Sequence, residues 1–165
     1  YQIWRTFSME HSNSDSRYLS FAYEEAEKSI ATYRVGCVAV ASGKIVARGC
    51  NNARTYSKDG IIGESLSCHA EIDVLRKIYK KGFTKKINLY VARITSAGEL
   101  VCSAPCIDCF MTMQEFNIKD IIYIGHNGEI LKRSIEEFQT THRCGGKKAI
   151  IEKRAKVLRL SLIHI

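Results

Sequence analysis

Between Ser16 and Thr32 the apolar positions Leu19, Ala22, Tyr23, Ala26 and Ile30 recur at three- and four-residue intervals, with Glu24, Glu25, Glu27 and Lys28 between them. This period predicts an amphipathic helix. Val35 to Val40 and Lys44 to Gly49 are β-rich runs joined by Ala41-Ser42-Gly43, whose glycine can take positive φ, so they predict a hairpin. Asn51-Asn52-Ala53-Arg54 leads into a polar stretch, Thr55 to Ser67, that predicts a loop. The helical period returns from Ala70 to Lys81, where Ile72, Leu75, Ile78 and Tyr79 share one face and Gly82 marks the end. Ile87 to Ile94 predicts a strand, Ala97-Gly98-Glu99 a turn, and Leu100 to Ser103 a short lead into a helix over Cys106 to Phe116, with Pro105 at its start. Ile118 to Gly125 predicts a strong strand, and Asn127-Gly128 a two-residue hairpin turn into a returning strand, Ile130 to Ile135. Glu136 to Thr141 predicts a further helical stretch, and Gly145-Gly146 breaks the chain.

Helix, hairpin, helix, strand, helix and two strands predict an α/β fold, a three-layer α/β/α sandwich around a central mixed sheet of about five strands. A length of 165 residues with 45% hydrophobic content suffices for one proper core. The domain is expected over residues 9–144, followed by a basic segment, 145–159. Residues 1–8 and 160–165 read as foreign to the fold. The first methionine is Met9, and Leu160 to Ile165 resembles the translated end of a transposase-based sequencing adapter. No apolar run approaches the roughly 18 to 20 residues of a membrane span, so a soluble protein without a membrane partner is expected. Seven cysteines in no disulfide-like spacing, two of them in a C-x-x-C, favour a reducing, intracellular and cytoplasmic setting. A net charge of +8 would attract a polyanion, which keeps single-stranded nucleic acid open as a partner.

The chemistry concentrates in Cys68-His69-Ala70-Glu71 and Pro105-Cys106-Ile107-Asp108-Cys109. His69, Cys106 and Cys109 supply one imidazole and two thiolates, and three protein ligands leave tetrahedral zinc one position for water. Cys106 and Cys109, three apart on a helix, present both sulfurs to one face, and a helix N-terminus favours thiolates. Mixed nitrogen and sulfur ligation suits zinc, with iron open as an alternative. Zinc lowers the pKa of bound water from about 15.7 towards about 7, and Glu71 is placed to move its proton to a ring nitrogen and a leaving amine. The competing reading is a closed structural zinc site completed by Cys68 or Cys102. Closed sites usually come as paired knuckles, whereas this chain has a single C-x-x-C, a lone His and a Glu placed to exchange protons with metal-bound water.

The H-x-E with P-C-x-x-C arrangement resembles the cytidine and deoxycytidylate deaminase superfamily, which also includes tRNA adenosine deaminases and polynucleotide cytosine deaminases. The resemblance runs from about Leu19 to Phe138. It implies one zinc on His69, Cys106 and Cys109, Glu71 as catalytic proton shuttle, and deamination of a cytosine base in a nucleoside or nucleotide by zinc-bound hydroxide. It also implies a substrate contact from Asn51 in Gly49-Cys50-Asn51, a backbone N–H from Ala70 on the ring carbonyl oxygen, and Ser103 and Ala104 beside the exocyclic amine. Homo-oligomers are common in the family. Asp73 after Glu71-Ile72, and the lack of both the Glu and the Trp-Ser found before the proline in two subfamilies, leave the subfamily open. A base in single-stranded DNA or RNA, cytosine or adenine, and a catalytically silent zinc-containing nucleic-acid-binding module are the alternatives. Arg54, with Arg34 and Lys58 nearby, is a candidate for a nucleotide phosphate, against the plain reading of solvated charge. His126 reads as a turn residue, His142 and Cys144 as unpaired, and Phe110, Met111, Met113 and Phe116 as core.

Overall fold

The computed structural model describes residues 11–63 and 66–140. The basic segment, both terminal stretches read as foreign, His142 and Cys144 lie outside the described residues. The elements run α1 (Asn13–Glu27), β1 (Arg34–Ala41), β2 (Lys44–Cys50), α2 (Ala70–Lys81), β3 (Ile87–Ile94), β4 (Leu100–Val101), α3 (Ile107–Met113), β5 (Ile118–Ile124) and β6 (Ile130–Ser134). The sheet has the order β2-β1-β3-β5-β6, with the two-residue β4 pairing the end of β3 as a sixth strand. All pairings are antiparallel except β3 with β5, which are parallel and joined through α3. The expected α/β/α sandwich is therefore the observed one, with six strands in place of about five.

Period-two alternation in the strands sends side chains to both faces. Val38, Val40, Tyr90, Ala92, Ile122 and Ile124 meet Tyr18, Leu19 and Ala22 of α1 on one side. Cys37, Ala39, Leu89, Val91 and Ile121 meet Val74, Leu75 and Ile78 of α2 and Cys109 and Met113 of α3 on the other. Full burial of a side chain such as Leu75 contributes about 1.5–3 kcal/mol. Helix α1 approaches so closely that a Cβ on Gly36 of β1 would stand 2.0 Å from the Ala22 carbonyl oxygen, so only glycine fits there.

Several boundaries differ from those the pattern predicts, each for a local reason. Helix α1 starts three residues early because Ser12 and Asp15 form a capping box. It ends at Glu27 with Lys28 as its C-cap, leaving Ile30 fully exposed, since the chain must turn into β1 and the Ser29 hydroxyl donates to the Asn51 carbonyl. Tyr79 falls beside, not on, the buried face of α2 and is exposed. Helix α3 begins one residue after Cys106, its N-cap, and ends at Met113, before the predicted Phe116. The β1–β2 turn has positive φ at both Ser42 and Gly43, as a two-residue turn of matching twist requires. The β5–β6 connection is instead a three-residue loop: the Gly128 N–H donates to the Gly125 carbonyl and Gly128 alone takes positive φ. Ile135 to Glu137 form a turn, with Glu137 and Phe138 N–H groups donating to the Ser134 carbonyl, where the sequence predicts helix from Glu136.

Candidate active site

Helices α2 and α3 lie on one face of the sheet and begin side by side, each capped by a residue with a metal-ligating side chain. His69 caps α2 in an extended conformation and its ring makes no capping hydrogen bond. Cys106 caps α3 in the same way, and Cys109 follows in the first turn. The His69, Cys106 and Cys109 ligand atoms all lie within 4.8 Å of one another. His69 Nδ1 stands 3.2 Å from Cys109 Sγ and 3.7 Å from Cys106 Sγ. With Zn–N of about 2.0–2.1 Å and Zn–S of about 2.3 Å, donors on a tetrahedral zinc are about 3.6 Å apart, so this set fits the ion.

The segment carrying Cys106 is held by β5. The Ser103 N–H donates to the Ile124 carbonyl, the Ile124 N–H donates back to the Ser103 hydroxyl, and that hydroxyl donates to the Val91 carbonyl of β3 at 2.7 Å. Ser103 thus ties the second half of β3 to the carboxyl end of β5 and sets where Pro105 and Cys106 begin. The loop before His69 is tied down separately, by an Asp59 carboxylate that accepts from Arg76 Nε of α2 at 2.9 Å and from the Ser57 hydroxyl.

A cavity of about 420 Å³ opens beside the cluster, lined by Glu71, His69, Cys106, Asn51, Ser103 and Ala104 together with Tyr33 and Arg93. Glu71 is buried, and desolvation lifts its carboxyl above its ordinary value, opposed by the His69 charge and by a hydrogen bond from Cys109. Hydrogen bonding to Cys106 raises the His69 imidazole against the opposing effect of burial.

The structure brings Asn51, Ser103 and Ala104 to the cavity. Asn51 donates from Nδ2 to the Tyr33 carbonyl at 2.8 Å and accepts from the Val35 N–H on Oδ1 at 2.9 Å. Ala70 contributes the first amide of α2, one of the N–H groups that has no partner within its helix. Arg54 is not among the lining residues; its Nε donates to the Tyr56 carbonyl. Arg34 donates to the Thr95 carbonyl and Lys58 is exposed, so neither reaches the cavity. Cys68 and Cys102 both stand outside the ligand cluster. Burial pushes the Cys68 thiol up to about 12, and it donates to the His69 carbonyl, while Cys102 Sγ lies 3.9 Å from His126 Nε2. Met113 is core and Phe110 packs on Phe138, but Met111 is exposed. Tyr33 and Arg93 are among the lining residues the sequence reading missed, with Val35 and Ser67; no local motif marks Arg93, which reaches Tyr33, just before β1, through the pairing of β3 with β1.

An α/β/α sandwich that sets one imidazole and two thiols at adjoining helix starts, with a buried carboxylate beside them, defines a zinc-dependent deaminase fold. The chain belongs to the cytidine and deoxycytidylate deaminase zinc-binding family, whose model matches residues 12–125. Zinc is accordingly the cofactor, and His69, Cys106 and Cys109 are the cluster able to hold it. Among solved structures the chain is similar to the dCMP deaminase of cyanophage S-TIM5 in apo form, at 20% identity and a TM-score of 0.55, covering 71% of this chain and 86% of that one. The same phage enzyme in complex with dCMP and dUMP aligns at 21% identity and a TM-score of 0.53, over 68% and 81% of the two chains. A cytidine deaminase from Burkholderia pseudomallei aligns at 20% identity and a TM-score of 0.56, over 77% and 95%. These likenesses show the fold. No curated protein matches the sequence at a significant level.

Proposed function

We propose that the protein hydrolytically deaminates a cytosine base to uracil in a nucleoside or nucleotide, releasing ammonia. The observation that carries this reading is the buried Glu71 lining the same cavity as His69 and Cys106, two of the three metal ligands. Zinc, when bound, lowers the pKa of water from about 15.7 towards about 7 and so supplies the nucleophile. Glu71 would take one proton of that water and give it to the ring nitrogen, then take the other from the hydroxyl added at the ring carbon and give it to the exocyclic nitrogen, which leaves as ammonia as its C–N bond breaks. The Ala70 amide, first of α2, would hold the ring carbonyl oxygen. With the Ser103 hydroxyl committed to Val91 and Ile124, the backbone carbonyl groups of Ser103 and Ala104 are what this segment offers the exocyclic amine. The amide of Asn51, bonded to Tyr33 and Val35, shapes the cavity wall and keeps one N–H and one lone pair for a sugar hydroxyl.

An intracellular setting accords with the six described cysteines, which form no disulfide among the described residues. No helix among those residues is long and apolar enough to cross a membrane. The test is a panel of cytidine, deoxycytidine, their 5′-monophosphates and a labelled cytosine-containing single strand, assayed with zinc-loaded protein for the uracil product. Turnover of the small substrates is expected. Turnover of the strand alone would replace them with a polynucleotide, which the +8 charge also favours. One zinc per chain with no uracil product from any of them would identify a silent binding module.

A further inference from the structure

Arg93 stands apart from the other arginines near the site. It lies in β3, paired with Val35 of β1 and Val101 of β4, and lines the Glu71 cavity. Its guanidinium lies 4.6 Å from the Tyr33 ring centroid. Beyond that ring, it makes no hydrogen bond or ion pair among the described residues, whereas Arg34 donates to Thr95, Arg48 approaches the Glu25 carboxylate and Arg76 pairs with Asp59. Among the described residues, Arg93 is the sole Lys or Arg lining this cavity and Glu71 its sole carboxylate. Tyr33 is fixed in turn by Asn51, whose side chain grips the Tyr33 carbonyl and the Val35 amide.

A guanidinium stacked by one face on an aromatic ring keeps its in-plane N–H donors, and the stacking holds the fork in one orientation. Such a fork matches two oxygens of one oxyanion. With Glu71 assigned to the proton chemistry, no other carboxylate among the described lining residues faces the cation. We propose that Arg93, oriented by Tyr33, is an anion subsite that takes the 5′-phosphate monoester of a cytosine nucleotide, which makes the nucleotide and not the nucleoside the substrate. This rests on the deaminase reading and adds a specificity determinant to it. A single cation suits one phosphate; a groove that tracks a polynucleotide backbone needs a run of them.

The experiment compares wild type with Arg93→Gln in two readouts, both on zinc-loaded protein. The first is the ratio of kcat/KM for the monophosphates over their nucleosides, with a cytosine-containing oligonucleotide as a third substrate. In wild type the ratio is expected at about ten to a hundred, the range for a charge-assisted bidentate contact, and in Arg93→Gln it collapses towards one. Tyr33→Phe, which keeps the ring, retains the preference, and Tyr33→Ala reduces it. The second is calorimetric binding of UMP against uridine, which needs no turnover. A UMP preference lost in Arg93→Gln upholds the subsite even in a protein that deaminates nothing, which would sink only the proposed function. Equal kcat/KM for nucleosides and nucleotides in wild type, a preference that survives Arg93→Gln, or an Arg93-dependent advantage confined to the oligonucleotide overturns the subsite while leaving deamination standing.

Discussion

Glu71 has few chemical alternatives where it stands. It is buried at the start of α2, two residues beyond His69, and desolvation already lifts its carboxyl above the ordinary range. Replacing it with Gln preserves shape and hydrogen bonding but removes the exchangeable proton, so Glu71→Gln is expected to retain one zinc per chain and lose about 100-fold or more in kcat. Metal analysis paired with single-turnover assay checks this; near wild-type turnover would remove Glu71 from the chemistry. The residues of the site divide sharply in how readable they are. His69, Glu71, Cys106 and Cys109 sit in two short motifs whose spacing predicts one metal and one proton carrier. Tyr33 and Arg93 carry no such mark, because what brings them together is the register of β1 against β3, a long-range pairing. The Ser103 hydroxyl is similarly opaque: its two partners, Val91 and Ile124, come from strands on either side of it in sequence.

Among the elements, α1 shows how one carboxylate can tie a helix to a sheet. Asp15 closes the capping box with Ser12, accepts from the Tyr90 hydroxyl of β3 at 2.6 Å, and pairs with Lys132 of β6 at 3.2 Å. Burial pushes its carboxyl up, but Tyr90, the Ser12 amide and Lys132 together outweigh that and hold it below its ordinary value of 3.8. A carboxyl depressed in the folded state contributes stability that is present above its unfolded value and is lost as pH falls through the folded one. Thermal midpoints should therefore fall more steeply below about pH 4 in wild type than in Asp15→Asn, which is less stable at pH 7. Parallel slopes for the two proteins in melts from pH 7 to pH 3 would remove Asp15 from the acid response. The helices and strands themselves were legible because their periods differ; what was not legible was where they stop. The early end of α1 depends on a hydroxyl bond from Ser29 to Asn51, and the extra residue in the β5–β6 loop on Gly125 and Gly128, neither of which alters hydrophobic spacing.

At the scale of the whole molecule, the cluster links the starts of two helices that share one core on the same face of the sheet. A metal bound by the native state alone raises stability by mass action, so zinc removal is expected to lower the thermal midpoint, and added zinc to restore it. Cys109→Ser should show a low midpoint that no longer responds to chelator. A midpoint indifferent to zinc in wild type would mean that the cluster adds nothing to the fold. The α/β/α architecture followed directly from the order of periods along the chain, whereas the parallel pairing of β3 with β5, on which the site depends, needed the spatial arrangement.

The clasp between Ser103 and Ile124 also bears on the order of events during synthesis. Both metal motifs leave the ribosome before β5 does, yet the strand that holds the Cys106 segment in place ends at Ile124. A nascent chain with residues up to 117 exposed contains every ligand and lacks the strand that arranges them; one with residues up to 140 exposed has both. Stalled ribosomal complexes of the two lengths should differ in zinc retained after gel filtration, with the shorter losing its metal. Equal retention would show that the two motifs assemble without the strand. If they differ, metal capture by this chain is a late step, timed by translation of a segment that contains no ligand.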